Sequence, residues 1–540
     1  MSAHGSYLEK KGIMEWVRSV DHKRIGVMYL ITGLFAFIVG GIFALLLRTE
    51  LMAPGQTIVD KNIYNIFFTL HGTIMIFIFI VPGIIASFGN ILLPLMIGAK
   101  DVAFPRLNRL SFQLYILGII VIGLGLSNAP DTGWTFYTPY SVETKTGVFL
   151  MTFGAFIMGF SSILTGLNFI VTIHKLRTEG MTWNRMPLFC WSIYAASLIQ
   201  VIATPVIAIT LLLLILENFF GMGMFDPAMG GDPLLFQNFF WFYSHPVVYI
   251  MILPAMGVVS EIIPAFSRKP IFGYKAIAWS SVAIAGVSFL VWGHHLFVAS
   301  ESAILGVIFS FLTFLVAIPT AIKVFNWLST LYKGQITLKS PMLYALAFIN
   351  LFLIGGLTGL PLATVALDVP LHDTYFIVAH FHYTIQGGTV IGLMAALHYW
   401  YPKISGRMFN EKWAVITFIM VFIGFNLTFI PQFIMGISGI GFGMTRRYFD
   451  YAEQYTNYHF VSTIGSYLLG LGYFFTLYNF WRSRKKGEIA SQNPWNAKGL
   501  EWEVVATPPS EHNFDELPIV TDWPYNYGRD GIEMEEKGAN

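Results

Sequence analysis

HDTYFIVAHFHYTIQGGTVIGLMAALHYW, residues 372–400, decides the fold. From 373 to 399 it is long and apolar enough to cross a bilayer, which takes about 20 residues. Yet it carries His380 and His382 well inside the span. A polar side chain in hydrocarbon is expensive and usually functional. On a helix of 3.6 residues per turn, positions two apart lie about 200° from one another. The two imidazoles therefore face opposite sides. They cannot share one metal, but they can serve two cofactors flanking the helix.

The rest of the chain implies the same solvent. Of 540 residues, 55% are hydrophobic, 16% aromatic and 11% charged, against about 25% charged in soluble domains. Mean hydropathy is +0.63. Twelve segments reach spanning length, roughly 26–47, 64–97, 110–128, 146–173, 188–216, 234–263, 271–298, 303–331, 341–365, 373–399, 412–434 and 458–480. The expected fold is all-α and integral to a membrane, with twelve transmembrane helices. A short inner segment, 1–25, precedes a membrane domain, 26–480, and a polar tail follows, 481–540. Basic residues such as Lys100, Arg185, Lys269, Lys339, Arg407 and Arg484 gather in alternate loops and in the tail. The other loops hold few, among them Arg48, Lys61, Lys145, Arg446 and Arg447. The positive-inside rule then puts both termini on the cytoplasmic or matrix side. The opening MSAHGSYLEKKG lacks a cleavable signal, so the first apolar segment should serve as its own membrane signal.

A net charge of +2 points to neither nucleic acid nor an acidic partner. The single cysteine, Cys190, excludes an internal disulfide and any Cys-pair metal site. A metal must then be held by His, Tyr, carboxylates or a cofactor.

Six histidines sit inside expected spans: His71, His245, His294, His295, His380 and His382. With alternating topology, each lies about three to eleven residues below the outer edge, so all fall in the outer half of the bilayer. Unrelated core histidines have no reason to share a depth. His294 and His295 are about 100° apart and can converge on one ion, and imidazole suits copper, iron or zinc. His398, near a helix end, reads as interfacial. For any one of these residues the bland reading is a hydrogen-bonded structural histidine; six at one depth argue against it.

TLHGTIMIF (69–77), WFYSHPVVY (241–249), VWGHHLF (291–297) and HDTYFIVAHFHY (372–383) resemble the corresponding stretches of haem–copper oxidase subunit I. RTELMAPG (48–55), PLMIGAKDVAFPRLN (94–108), IPTAIKVFNWL (318–328) and NPWNAKGLEW (493–502) do too, so the resemblance covers nearly the whole chain. It implies a terminal respiratory oxidase that reduces O2 to water and pumps protons. His71 and His382 would be axial ligands of a low-spin haem, and His380 the proximal ligand of a high-spin haem. His245, His294 and His295 would hold copper. Tyr249, one helical turn from His245, resembles the tyrosine that is covalently joined to that histidine and supplies an electron and a proton. Arg446, Arg447 and Trp134 resemble haem-propionate neighbours, and Arg48 the arginine near the low-spin haem ring. His372 and Asp373 resemble ligands of Mg2+ or Mn2+, usually completed by subunit II. The stretch GISGIGFGMT (436–445) before the arginines is longer than the resemblance leads one to expect.

Two proton routes follow from the resemblance. Lys323, with Thr320 and Ser260, matches a path toward Tyr249. It lies about 12 Å, eight residues, from the inner end of its span, too deep for ordinary snorkelling. Asp101, Asn90 and Asn108 resemble the mouth of a second path, lined by Ser161, Ser162 and Asn168. Well-known members end that path at a glutamate in HPEVY. Here the motif is HPVVY, and Val247 cannot carry a proton. Tyr243, one turn before Val247 on the same face, and Ser244 resemble the Tyr-Ser arrangement of a branch that still pumps.

The electron donor is absent from this chain, since no Cys pair can hold a dinuclear copper centre. Quinol-oxidising relatives often have His and Gln eight and five residues before the haem histidine, where this chain has Ile63 and Ile66. The expected donor is cytochrome c through subunit II, with subunit III as a further partner. Haem a is the expected type, although b or o could use the same ligands. The expected location is the bacterial inner membrane. Nitric oxide reductase shares the fold and the six histidines, but it uses non-haem iron and lacks the counterpart of Tyr249. A twelve-helix transporter has no need of histidines on opposite helix faces.

Overall fold

The computed structural model describes residues 5–9, 12–299, 302–438 and 443–528; parts of the expected inner segment and tail, and residues 439–442 of the long stretch before Arg446, lie outside these. The described residues are helical, with isolated bridges but no strand. The helices are α1 (His22–Glu50), α2 (Lys61–Ile97), α3 (Pro105–Asn128), α4 (Val148–Lys175), α5 (Leu188–Phe220), α6 (Pro233–Ser267), α7 (Tyr274–Leu290), α8 (Ala303–Leu331) and α9 (Ser340–Ala363). Then come α10, running through Tyr375–Phe381, His382–Val390 and Ile391–Ser405, α11 (Glu411–Ile437) and α12 (Glu453–Lys486).

Ten of these are long and apolar enough to cross a membrane. The other two expected spans differ in form. Helix α7 is shorter, because the chain around the paired histidines tightens into 3-10 turns, Ser288–Leu290 and Trp292–Leu296. Helix α10 widens into a π segment, His382–Val390. Such local departures from α geometry often occur at functional sites.

Short polar side chains start the helices. Asp60 accepts the backbone N–H groups of Asn62 and Ile63, Asp232 that of Leu234 with Pro233 in the first turn, and Thr374 that of Phe376. These caps satisfy donors that the helix itself cannot pair. Helices α11 and α12 approach closely because glycines line their contact. A Cβ on Gly424 would lie 2.5 Å from Leu469 N, and one on Gly465 2.6 Å from Thr428 N. Small residues serve this purpose between membrane helices, where lipid offers no hydrophobic drive to pack.

The tail folds back against the ends of α2, α6 and α10. Trp495 Nε1 donates to Tyr399 O, Tyr525 OH to Glu261, and Asn513 Nδ2 to Ala99 O and Lys100 O. His398 is fully buried, with its Nδ1–H on Met394 O and its ring stacked on Tyr344, so the interfacial reading is corrected. The last turns of α10 are covered by α9 and by Phe409 and Phe480 rather than by headgroups.

Candidate functional site

The bundle encloses a cavity of about 1540 Å³, and all six expected histidines line it. His71 follows one turn of chain before a π segment, Ile74–Ile80, and His382 opens the π segment of α10. Their rings face each other with centroids 6.4 Å apart and planes 15° from parallel. Two imidazoles bound on opposite faces of one metal at about 2.0–2.1 Å, with about 1.2 Å from nitrogen to ring centre, would put the centroids roughly 6.4 Å apart. His71 Nδ1–H donates to Gly40 O at 2.9 Å and His382 Nδ1–H to Val378 O at 2.8 Å. Both Nε2 atoms are thereby left as ligands, as outer-shell hydrogen bonds arrange in metal sites.

His380 points to the other side of α10. Its Nδ1 lies 3.2 Å from Thr358 Oγ1, whose own hydrogen is taken by Ile354 O or Gly355 O, so the imidazole donates and Nε2 is again free. Facing it, His245, His294 and His295 bring one nitrogen each within 4.8 Å of the others. His295 Nε2 lies 3.2 Å from His245 Nδ1 and 3.1 Å from His294 Nε2. Three nitrogens about 2.0–2.1 Å from one tetrahedral ion stand about 3.3–3.4 Å apart, so the trio is nearly preset for a metal. His294 Nδ1–H is held by Thr313 Oγ1 at 3.0 Å. His295 is stacked under Trp241 at 3.6 Å. Tyr249 OH lies 3.0 Å from His245 Nε2, the nitrogen left over by the trio.

A chain with these three centres has a close match. The family model described as cytochrome c and quinol oxidase polypeptide I matches residues 24–468. The chain belongs to that family. Cytochrome c oxidase subunit 1 of Thermostichus vulcanus is 45% identical over 94% of this chain and 92% of its own length. The same subunit of Synechocystis sp. is 46% identical over 96% and 93%, and that of Bacillus subtilis 41% over 94% and 82%. A chain from a cryo-EM structure of a heme-copper terminal oxidase dimer shares the fold, with TM-score 0.73 and 19% identity over 89% of this chain and 86% of that one. As a haem–copper oxidase polypeptide I, this membrane protein is the catalytic subunit of a terminal oxidase, and haem and copper are its cofactors. The donor set above fits both groups.

Around the oxidase cavity, the remaining expected residues sort as follows. Trp134 and Arg447 border it. Trp134 packs on Gly72, where a Cβ would stand 2.9 Å from its own Cβ. Arg446 pairs with the Asp373 carboxylate, and its backbone N–H donates to Asp373 O. His372 Nδ1 lies 2.9 Å from Asp368 Oδ2. His372 and Asp373 thus take separate partners, and among the described residues they form no group of three metal donors.

Lys323 is buried, and Nζ donates to Ser281 Oγ at 2.6 Å and Ile277 O at 3.0 Å. Ser260 Oγ accepts from Trp327 Nε1 at 3.0 Å, and Thr320 lines the large cavity. Asn108 Nδ2 donates to Asn90 Oδ1 at 2.7 Å, and Asn168 Oδ1 accepts from Phe104 N at 2.9 Å. Burial pushes the Asp101 carboxyl up to about 7, against the Val102 N–H that favours its ionised form. Deeper in, a second cavity of about 40 Å³ is lined by Ser161, Ser162, Gln200 and Tyr243. That is room for about two or three waters, and Ser162 Oγ and Gln200 Oε1 have no protein partner. Ser244, next in sequence to Tyr243, lines the large cavity instead, its Oγ also unpartnered.

Thr313, Thr358, Trp241 and Ser281 were not singled out by sequence. All are ordinary residues whose roles come from distant chain segments. Only the register of Thr313 with Val316, Ala317 and Thr320 of α8, which line the large cavity, could have flagged it.

Proposed function

We propose that this chain is the proton-pumping subunit I of a twelve-helix cytochrome c oxidase in the bacterial inner membrane, with both termini on the cytoplasmic side. The observation that carries it is the pair His380 and His382, back to back on α10. One lies across from His71, and the other is on the side of the His245, His294 and His295 trio. His71 and His382 hold the low-spin haem, His380 the high-spin haem, and the trio copper, with haem a the type expected. When bound, these groups bind O2 and deliver electrons to it. The protein orients them through Gly40, Val378, Thr358 and Thr313, and Tyr249 OH gives up a proton beside His245 Nε2.

Arg446, Arg447 and Trp134 border the haem propionates, and Arg48 the low-spin ring. His372 and Asp373 supply part of an Mg2+ or Mn2+ site that subunit II completes. Subunit II also carries the dinuclear copper that receives electrons from cytochrome c; Ile63 and Ile66 stand where a quinol oxidase would place polar groups. Subunit III completes the core complex.

Protons reach Tyr249 through Ser260, Lys323 and Thr320. A second route begins at Asp101, Asn90 and Asn108 and passes Ser161 and Ser162. Tyr243 and Ser244 then replace the missing glutamate. Adjacent in sequence, they line the small and the large cavity respectively, so the pair bridges the two.

The test is proton ejection during O2 reduction by the purified complex in sealed vesicles. Wild type should eject protons, and Tyr243→Phe should stop or uncouple ejection. Wild type that reduces O2 without ejection refutes pumping. Normal ejection by Tyr243→Phe refutes the relay, and no O2 uptake with a competent donor refutes the oxidase reading.

A further inference from the structure

At the outer end of α12, His459 is fully buried, its ring between Tyr451 and Tyr375 at centroid distances of 4.3 and 5.2 Å. It makes two contacts. Nε2 lies 3.1 Å from Met444 Sδ, and Nδ1 lies 3.2 Å from Arg48 Nη2. A thioether sulfur can only accept a hydrogen bond, and a guanidinium nitrogen can only donate. The two partners therefore select one tautomer. Nε2 carries the hydrogen and gives it to Met444, and Nδ1 presents its lone pair to Arg48.

The same Nη2 of Arg48 also donates to His459 O at 2.8 Å and Thr463 Oγ1 at 3.2 Å. Three acceptors on one terminal nitrogen fix one corner of a planar, five-donor group. The opposite side of the guanidinium is left to the large cavity, which Arg48 lines. Its buried Nε has no protein partner.

Met444 is itself anchored. Its carbonyl accepts from Tyr375 N and its N–H donates to Met435 O, both at 2.9 Å. Two residues on come Arg446 and Arg447. His459 thus ties Arg48, on α1, to the loop that carries the other two arginines of the site.

We infer that His459 is a positioning residue for Arg48, its neutral imidazole setting how the guanidinium meets the edge of the low-spin haem. The inference rests on the reading that Arg48 borders the haem held by His71 and His382. The charge and hydrogen bonds a cofactor meets are among the protein's means of tuning it. Moving Arg48 should therefore move the absorption and the midpoint potential of that haem and leave the high-spin haem unchanged.

The experiment compares reduced-minus-oxidised spectra and redox titrations of the purified oxidase in four forms: wild type, Arg48→Leu, His459→Leu and His459→Asn. Asparagine keeps an acceptor near the Nδ1 position but loses ring volume; leucine keeps more volume but has no acceptor. Arg48→Leu should shift the low-spin band and potential. His459→Leu should shift both in the same direction by less, and His459→Asn should leave them at the wild-type position. A role in packing alone would give the reverse order for the two His459 variants, and that order overturns the inference. So does an unshifted His459→Leu beside a shifted Arg48→Leu, which leaves the haem reading intact. If Arg48→Leu itself shifts nothing, the placement of Arg48 at the haem fails, and the inference with it. Should His459→Leu assemble no haem, Met444→Leu carries the test. It removes the acceptor that selects the tautomer, so the low-spin band should shift, and an unmoved band overturns the inference.

Discussion

Thr313 shows how a residue without chemistry of its own orients an imidazole of the candidate metal trio. Its hydroxyl is spent on Phe309 O at 2.6 Å, which turns the oxygen lone pair toward His294 Nδ1. That bond holds His294 in the tautomer whose Nε2 faces the trio. Losing such a partner typically weakens metal binding about 10–100-fold. Thr313→Val should therefore retain both haems yet lose copper at a chelator concentration that wild type withstands, as metal analysis would read. Asp101 carries a different prediction. Burial raises its carboxyl to about 7 from 3.8. It is then protonated below about pH 7 and ionised above. The native state holds the proton more tightly than the unfolded chain, so its contribution to stability is present at low pH and lost as pH rises toward 7. On the proposal that Asp101 accepts protons at the mouth of a route, its loading falls across the same interval. Asp101→Asn should lower turnover severalfold and remove the inflexion near pH 7 from the pH–rate profile. An inflexion that persists in the variant would assign it to another group.

At the scale of the helix, the informative features are departures from regular geometry. The His71 and His382 rings meet beside two π segments, and two of the histidine trio, His294 and His295, sit in the 3-10 turn Trp292–Leu296. Composition and periodicity revealed which segments are apolar enough to span a membrane and that six histidines sit inside them, because apolar character is written residue by residue. They did not reveal the change of pitch, since hydrogen-bond register depends on what packs against the helix. For this reason α7 and α10 were expected as uniform spans. Helix α9 illustrates the packing side. A Cβ on Gly359 would stand 3.1 Å from His380 Cε1, tighter than ordinary contact. Gly359→Ala should displace the His380 imidazole, the proposed ligand of the high-spin haem, while sparing His71 and His382. The expected result is a changed carbon-monoxide difference spectrum with an unchanged low-spin band. A shift in both would mean that α10 moves as one body.

Across the whole molecule, the membrane-spanning helices were legible because apolar segments of spanning length recur along the chain. The tail was legible as polar composition with one stretch, NPWNAKGLEW (493–502), that resembles the family, but not as a fold. Its fold depends on partners far away in sequence: Asn513 meets His22, 491 residues earlier, and Tyr525 meets Glu261, 264 residues earlier. No local pattern encodes such pairs. Their placement has a consequence for proton uptake. Asn513 pins the carbonyls of Ala99 and Lys100 immediately before Asp101, and Asn513 Oδ1 accepts from Lys23 Nζ at 2.6 Å. Lys23 in turn pairs with Asp21 at 3.1 Å, and both act on Asp101. The tail therefore helps to set the burial that raises Asp101. Asn513→Ala opens this corner, so water should reach the carboxyl and its pKa should fall toward the ordinary range. The inflexion in the pH–rate profile should move to more acidic pH, with haem and copper content unchanged. Ending the chain after Gly487 should produce the same acid shift and also lower the thermal midpoint, because the contacts to Tyr399, Lys403 and Glu261 go with it. If truncation lowers the midpoint but leaves the inflexion in place, the tail braces the inner helix ends without setting the protonation of Asp101.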